Sequence, residues 1–203
     1  MTLLILAEED FEAKEHSLKL FGFRKHRKVH DITAGLKQVV RHSIEWGKDE
    51  SLHLGLADVK HAFETMTFER AASSMERVGI QAKRRLAILS CLIDNHGVVN
   101  FQDTTSEEIK WDTMIRTGGT EGPFLWNCET VSMWDEVVQS WQERGMGYSL
   151  EPSYTLERRL THSLWADNIL VYARTKQELQ QMMSELSEPL YKHGFSWKPE
   201  SLA

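Results

Sequence analysis

Helical and strand-like hydrophobic patterns alternate along the chain. Apolar residues recur every three or four positions in several segments, and this spacing predicts amphipathic helices. The expected helices cover about 31–46, 68–78, 81–94, 124–144 and 175–193. Short apolar runs between them predict strands. The expected strands cover 52–58, 98–101, 109–115, 160–165, 169–173 and 195–198. Asn95–Gly97 is expected to be a turn, and the strands 98–101 and 109–115 are expected to pair with each other. The chain therefore mixes helices with short strands.

Particular residues mark where the expected helices begin and which of their faces pack against the core. Asp31 is expected to cap the first helix, and the run from Thr175 to Glu178 fits a capping box for the last one. Aromatic and methionine side chains at helical spacing predict packing against the core. These side chains are Trp126, Trp134, Trp141, Met182 and Met183.

One expected hairpin carries a carboxylate at its tip. The apolar segments Leu160–Trp165 and Ile169–Ala173 flank Asp167 and Asn168, which both tolerate turn geometry. A carboxylate that two strands hold in place suits a hard divalent cation, because such ions take oxygen ligands. An ordinary solvated Asp-Asn turn is the alternative interpretation.

A second carboxylate closes another expected strand. The apolar run from Leu52 ends at Asp58, and the next few residues turn into a helix. If this strand and the Asp167 hairpin are neighbours in one sheet, both carboxylates meet at its edge. Two carboxylates there could hold two divalent ions, the arrangement used for phosphoryl and nucleotidyl transfer.

Composition sets the broad class. The 203 residues are 41% hydrophobic and 27% charged, which is typical of a soluble globular chain, and no linker divides them, so a single domain over 1–203 is expected. Net charge of −6 argues against a surface that is basic everywhere, and leaves room for a local nucleic-acid groove. No apolar run reaches membrane-spanning length, so no membrane partner is expected.

The cysteines indicate a compartment. Cys91 and Cys128 are far apart and lie in apolar helical runs, so both are interpreted as structural thiols in a reducing, intracellular compartment. A nuclear location is compatible with this. No His-Glu-x-x-His pair and no Gly-x-Ser-x-Gly elbow occurs, which disfavours a zinc hydrolase and a serine hydrolase.

Two loops are suited to anionic ligands. The stretch from Phe21 to Asp31 is the densest basic cluster, and Arg24 and Arg27 could hold phosphates there. A solvated basic loop is the alternative. The glycine-rich loop 116–123 precedes a helix and can admit close approach of a ligand to the backbone, although it lacks the Gly-Lys-Ser/Thr of a Walker motif.

Five segments, in order, resemble the reverse transcriptase domain of non-LTR retrotransposons and, more distantly, group II intron enzymes. Asp58–Glu64 is similar to the palm motif Asp-x-x-x-Ala-Phe-Asp, and Trp165–Asn168 is similar to the metal-binding turn Trp-Ala-Asp-Asp. The other three segments are Phe21–Arg27, Gly119–Pro123 and Gly194–Lys198. The resemblance covers roughly residues 21–201.

The resemblance implies a fold and a reaction. The fold is α+β: a polymerase-type palm with an antiparallel sheet backed by helices, partial fingers over about 1–50, further fingers elements inserted within 51–203, and no thumb. The reaction is RNA-directed DNA synthesis by a retroelement enzyme, with dNTPs added to a DNA primer on an RNA template and two Mg²⁺ or Mn²⁺ ions as cofactors.

The resemblance also implies roles for single residues. Asp58 and Asp167 are the metal ligands, and they form the catalytic set with Asn168. The nucleotide-binding residues are Phe63, Val59 and Gly122, of which Phe63 excludes a 2′-hydroxyl. The template or phosphate contacts are Arg24, Arg27 and Glu121.

The chain departs from the family pattern at several positions. Asn168 replaces the second Asp of the turn, which removes a negative charge and is expected to lower metal affinity. Glu121 replaces a Gln, and Lys198 stands where Asn is usual. One alternative is therefore a catalytically inactive retroelement remnant that binds nucleic acid or has no activity. Another is an unrelated α+β interaction domain, which a large separation of Asp58 and Asp167 would favour.

Overall fold

The computed structural model describes residues 2–45, 51–93, 95–111, 115, 118–150 and 159–201. The helices are α1 Thr2–Glu12, α2 Val29–Glu45, α3 Ala62–Thr65, α4 Phe68–Arg77, α5 Ala82–Leu92, α6 Gly122–Glu143 and α7 Lys176–Lys192. The strands are β1 His53–Asp58, β2 Asn95–Gly97, β3 Asn100–Phe101, β4 Thr104–Thr105, β5 Ile109–Trp111, β6 His162–Trp165 and β7 Asn168–Ala173. The mixture of helices and antiparallel strands confirms the expected fold class.

The chain divides into two compact units, each made of two segments. The first unit contains Met1–Glu15 and His61–Ser132, and the second contains His16–Lys60 and Met133–Ala203. The assignment of all residues to one domain, with fingers and palm boundaries near residue 50, stays a prediction. Within the part of the chain that the structure describes, no helix is long and apolar enough to cross a membrane.

A three-stranded antiparallel sheet in the order β1-β7-β6 forms the centre of the second unit. Isolated bridges extend it at both edges: Leu20 pairs in parallel with Leu164, and Val59 pairs antiparallel with Trp197. The strand expected over 195–198 is therefore present as this single bridge. Helix α7 packs closely on β1, because an added Cβ at Gly55 would lie only 3.0 Å from Leu179 Cδ1.

Helix α7 begins where the capping signal predicts. The Thr175 hydroxyl accepts a hydrogen bond from Glu178 N at 3.0 Å. The Glu178 carboxylate accepts in turn from Arg174 N at 2.9 Å, one residue before the cap. Met182 is fully buried on the inner face of the helix, as its spacing predicts.

The tryptophans of α6 belong to the core, as expected. Trp126 in the first unit and Trp134 and Trp141 in the second are all 0% exposed. Trp134 donates its indole N–H to the Leu186 carbonyl at 3.1 Å and stacks on Trp197 with 5.9 Å between ring centroids. These contacts join α6, α7 and the segment after α7 in the second unit.

Helix α2 starts earlier than expected. It begins at Val29, so Asp31 lies inside the first turn, where its carboxylate accepts from Lys28 N at 2.7 Å. The expected Asp31 N-cap is therefore wrong in position, although the carboxylate still satisfies a backbone donor near the helix start. The expected end of this helix at Trp46 lies outside the described residues.

The small strands of the first unit pair differently from the prediction. Asn95–Gly97, expected to be a turn, forms β2 and pairs with β5, while β3 pairs with β4. The predicted pairing of 98–101 with 109–115 is therefore wrong. A tight turn occurs between β3 and β4 instead, where Gln102 has a φ of 52°. Residues 112–114 lie outside the described part.

Helix α5 exposes part of its apolar surface. Ile88 and Leu92 are buried, but Leu86 is 68% exposed and Cys91 is exposed as well. Apolar residues occur on more than one face of this helix, so periodicity did not separate the buried face from the open one. The apolar run around Cys91 does not bury this thiol, whereas the Cys128 thiol is buried.

Candidate active site

The sheet of the second unit places two carboxylates at one end. Asp58 is the last residue of β1 and pairs with Asn168, the first residue of β7. Val59 N donates to the carbonyl oxygen of Asp167 at 3.0 Å, which joins the two chain segments directly beyond the strands. Asp58 and Asp167 are therefore neighbours at the same sheet end, although they are far apart in sequence.

The hairpin turn lies one residue earlier than expected. Ala166 and Asp167 form the turn, and Ala166 takes a left-handed φ of 54°. Asn168 belongs to β7, because it pairs with both Trp165 and Asp58. The prediction of Asn168 as a turn residue is therefore wrong. Its side-chain amide donates to Asp167 Oδ1 at 3.2 Å, which orients that carboxylate.

Negative charge is concentrated at this sheet end. Burial raises the pKa of the Asp58 carboxyl, and the charge of Asp167 and a hydrogen bond between the two carboxyls raise it further. Lys198 acts in the opposite direction, with its Nζ 3.8 Å from Asp58 Oδ2. A cation bound at the pair would relieve this repulsion.

The donor set fits magnesium. Mg²⁺ is usually bound by one or two carboxylates together with water and substrate phosphates, rather than by a cage made only of protein. Asp58 and Asp167 supply such a pair of hard oxygen donors. Among the residues that the structure describes, no group of three or more His, Cys, Asp or Glu side chains could hold a metal. Asp58 and Asp167 are the candidate ligands because the sheet brings these two carboxylates together.

The segment Phe21–Phe23 packs backbone to backbone against the hairpin. Both Phe21 N and Gly22 N donate to the Leu164 carbonyl, at 2.9 and 3.4 Å. An added Cβ at Gly22 would lie 2.2 Å from Ala166 N, inside the distance of any normal contact. Glycine is therefore required at this position, because a larger residue would displace the turn that carries Asp167.

The basic loop continues from this segment. Arg27 is exposed and lies with its guanidinium 5.4 Å from the centre of the Phe21 ring, a cation–π contact. Arg24 is half-buried, and its carbonyl accepts from Arg27 N at 3.2 Å. The loop that holds both arginines therefore starts beside the Asp167 turn, and their contacts with template or phosphate stay a prediction.

Two of the expected nucleotide-binding residues lie close together in the first unit. Gly122 begins α6, and a Cβ there would lie 3.5 Å from two ring atoms of Phe63. The Phe63 ring lies 6.1 Å from that of Trp126, so the core of the unit supports it. Glu121, the expected template contact, is half-buried beside this start of the helix.

Val59 differs from the other expected nucleotide-binding residues. Its side chain is 2% exposed, and its backbone N–H bonds to the Asp167 carbonyl. The structure thus gives it a supporting contact under the turn, and a direct contact with nucleotide stays a prediction.

Sequence reasoning missed a buried histidine in the second unit. His162 opens β6 and accepts a hydrogen bond from Lys19 N on its Nε2 at 2.6 Å, while its Nδ1 lies 2.9 Å from Thr161 Oγ1. Desolvation, and then the charge of Lys19, lowers the pKa of His162 to about 3. Through the hydrogen bond from Lys19 N, the neutral His162 ring connects the segment at Lys19 to β6. No spacing pattern distinguishes this histidine from the others in the sequence.

The antiparallel sheet that ends in this carboxylate pair has the arrangement that the resemblance predicts for a polymerase-type palm. The family model described as reverse transcriptase (RNA-dependent DNA polymerase) matches residues 4–200. The chain therefore belongs to the reverse transcriptase family. The alternative of an unrelated α+β interaction domain is wrong.

Solved structures with a similar fold include telomerases. The chain is similar over its whole length to apo telomerase from Candida tropicalis truncated from its C-terminal domain, with a TM-score of 0.66 and 9% identity. Telomerase from Candida albicans in complex with a TWJ fragment of telomeric RNA gives a TM-score of 0.66 at 10% identity. The chain spans only 39% and 34% of those two chains, so the likeness concerns the fold alone. Among curated proteins, none matches the chain.

Proposed function

We propose that the chain is the RNA-directed DNA polymerase domain of a retroelement, which adds dNTPs to a DNA primer on an RNA template. The observation that carries this proposal is the pairing of Asp58 with Asn168, which brings Asp58 and Asp167 to one sheet end in a member of the reverse transcriptase family. A carboxylate pair at the end of an antiparallel sheet is the chemistry that metal-assisted nucleotidyl transfer needs.

The proposed reaction is an in-line displacement. The 3′-hydroxyl of the primer gives up its proton to solvent, and its oxygen attacks the α-phosphorus of the dNTP. A new P–O bond forms while the bond from the α-phosphorus to the bridging oxygen of the β-phosphate breaks, which releases pyrophosphate. Asp58 and Asp167 would hold the divalent ions, Mg²⁺ or Mn²⁺, which lower the pKa of that hydroxyl and neutralise charge on the leaving group. Asn168 orients the Asp167 carboxylate through the amide hydrogen bond at 3.2 Å.

Other residues would position the substrates. Phe63 and Gly122, which lie close together in the first unit, would contact the sugar and base of the incoming nucleotide. Arg24 and Arg27 would bind phosphates, since a guanidinium matches phosphate geometry. Glu121 lies at the start of α6, where a template strand would meet its negative charge. An intracellular location, reducing and compatible with the nucleus, remains part of the proposal.

A catalytically inactive remnant is the second candidate. It is favoured by Asn168, which is neutral where the family pattern has Asp, and by Lys198, which brings a positive charge to 3.8 Å from Asp58. Both features reduce the negative charge that attracts a divalent ion.

Primer extension on an RNA template separates the candidates. We expect the native chain to extend the primer with Mg²⁺ or Mn²⁺, and Asp167→Ala to extend none. If only the Asn168→Asp protein extends the primer, the chain is a polymerase that the asparagine at position 168 inactivates. Equal extension by the native chain and Asp167→Ala would contradict the proposal, and no extension by any of the three proteins would favour the inactive remnant.

A further inference from the structure

The segment after α7 places a lysine opposite the first carboxylate. Lys198 N donates to the Asp58 carbonyl at 2.8 Å, and Lys60 N donates to the Ser196 carbonyl at 2.8 Å. These bonds extend the sheet beyond β1, with Lys198 directly opposite Asp58. Residues paired in this way present their side chains on the same face. The lysine therefore shares the face of the sheet on which Asp58 lies.

The position of Lys198 is set by buried anchors on its own segment. Trp197 is 7% exposed, stacks on Trp134, and donates its indole N–H to Ser187 Oγ at 2.8 Å. Phe195 is 2% exposed. Because these aromatic side chains fix the backbone on both sides of Ser196, the lysine cannot leave the carboxylate pair by movement of the segment alone.

The side chain itself can respond to a competing cation. The Nζ of Lys198 lies 3.8 Å from Asp58 Oδ2, close enough for an ion pair. The side chain is 53% exposed, however, so its ammonium group can swing into solvent without a large desolvation cost. The opposite neighbour of Asp58 in the sheet, Asn168, is neutral. The backbone of the Lys198 segment therefore keeps this positive charge within reach of the carboxylates, although the ammonium group itself can move.

We infer that Lys198 is a tethered cation that competes with divalent ions for Asp58 and raises the metal concentration that the site needs. The inference rests on the proposed function, because it takes Asp58 and Asp167 as the metal ligands. A divalent ion must displace the Lys198 ammonium from Asp58, and breaking an exposed ion pair of this kind costs an equilibrium about twofold to fivefold. The chain would therefore bind its metal about twofold to fivefold more weakly than the same carboxylate pair without Lys198.

A manganese titration tests the inference without any polymerase assay. Free Mn²⁺ is measured by electron paramagnetic resonance as it is added to the native chain, to Lys198→Gln and to Asp167→Asn. Lys192→Gln is the matched control, because Lys192 forms an exposed ion pair with Glu188 at 2.7 Å on α7. We expect Lys198→Gln to bind Mn²⁺ about twofold to fivefold more tightly than the native chain and the control, and Asp167→Asn to lose the site.

The outcomes separate the inference from the proposed function. Equal or weaker binding by Lys198→Gln, together with loss of binding in Asp167→Asn, would overturn the role of Lys198 and leave the metal site standing. Binding that does not depend on Asp167 in any variant would overturn the metal site itself, and the inference with it. A purely structural lysine would lower the melting temperature of Lys198→Gln without tightening the binding of Mn²⁺.

Discussion

Gly22→Ala is the substitution that most directly tests the packing beneath the candidate site. The new Cβ would lie 2.2 Å from Ala166 N, whereas an ordinary contact begins at 3.4 Å, so the segment and the turn must separate by 1.2 Å (3.4 − 2.2). Overpacking of this kind costs about 1–3 kcal/mol. For a chain of this size, that corresponds to a fall in melting temperature of about 2–12 °C.

The same displacement should also lower the rate of nucleotide incorporation. Ala166 precedes Asp167 in the turn, so moving the turn moves the carboxylate, and misplacement of a catalytic group by about 1 Å can cost about 100-fold in rate. Melting followed by circular dichroism and single-nucleotide incorporation measure the two effects.

The control is Gly35→Ala in α2, where an added Cβ meets nothing within 4 Å. This change should instead stabilise the chain by about 0.5–1 kcal/mol. A Gly22→Ala protein with native melting temperature and native rate would refute the reasoning.

Two further predictions concern α7. Thr175→Ala removes the hydroxyl that accepts from Glu178 N and should cost about 1 kcal/mol in urea unfolding, whereas Thr175→Ser should retain most of the stability. The second prediction concerns Glu185, whose carboxylate accepts hydrogen bonds from Arg144 and from the Trp141 indole. The hydrogen bond from Arg144 is the largest cause of the low pKa of Glu185, which falls to about 2. Because the folded pKa is below the unfolded one, this stabilisation is complete above about pH 4.5 and is lost as the pH falls toward 2. At pH 7, the Glu185→Gln protein should therefore unfold at a lower urea concentration than the native chain. Near pH 2, the two proteins should unfold at the same urea concentration. A difference in unfolding midpoint that stays constant between pH 7 and pH 2 would contradict the assignment.

Elements with a strong local signal could be predicted from the sequence. The capping run at Thr175 and the tryptophan spacing on α6 define helices that the structure contains, because those signals arise from backbone geometry and burial within one segment. The apolar runs that end at Asp58 and begin near Asp167 likewise became strands.

Features that depend on distant partners could not be predicted in the same way. Asn95–Gly97 has turn-forming residues but forms a strand, because β5 pairs with it. The place of Asn168 in β7 follows from its pairing with Asp58, which no local pattern reveals. The requirement for glycine at position 22 comes from Ala166, and the charge balance at Asp58 comes from Lys198, so both become visible only in the folded chain.

The most direct test of the central claim is a double-mutant cycle on nucleotide incorporation. The rate of single-dNTP addition to a DNA primer on an RNA template is measured for the native chain, Asp58→Asn, Asp167→Asn and the double variant, each shown to be folded. If the two carboxylates act as one metal-binding unit, each single substitution should lose nearly as much rate as the double one. Losses that simply add, or a native rate in either single variant, would contradict the assignment of Asp58 and Asp167 as the catalytic pair.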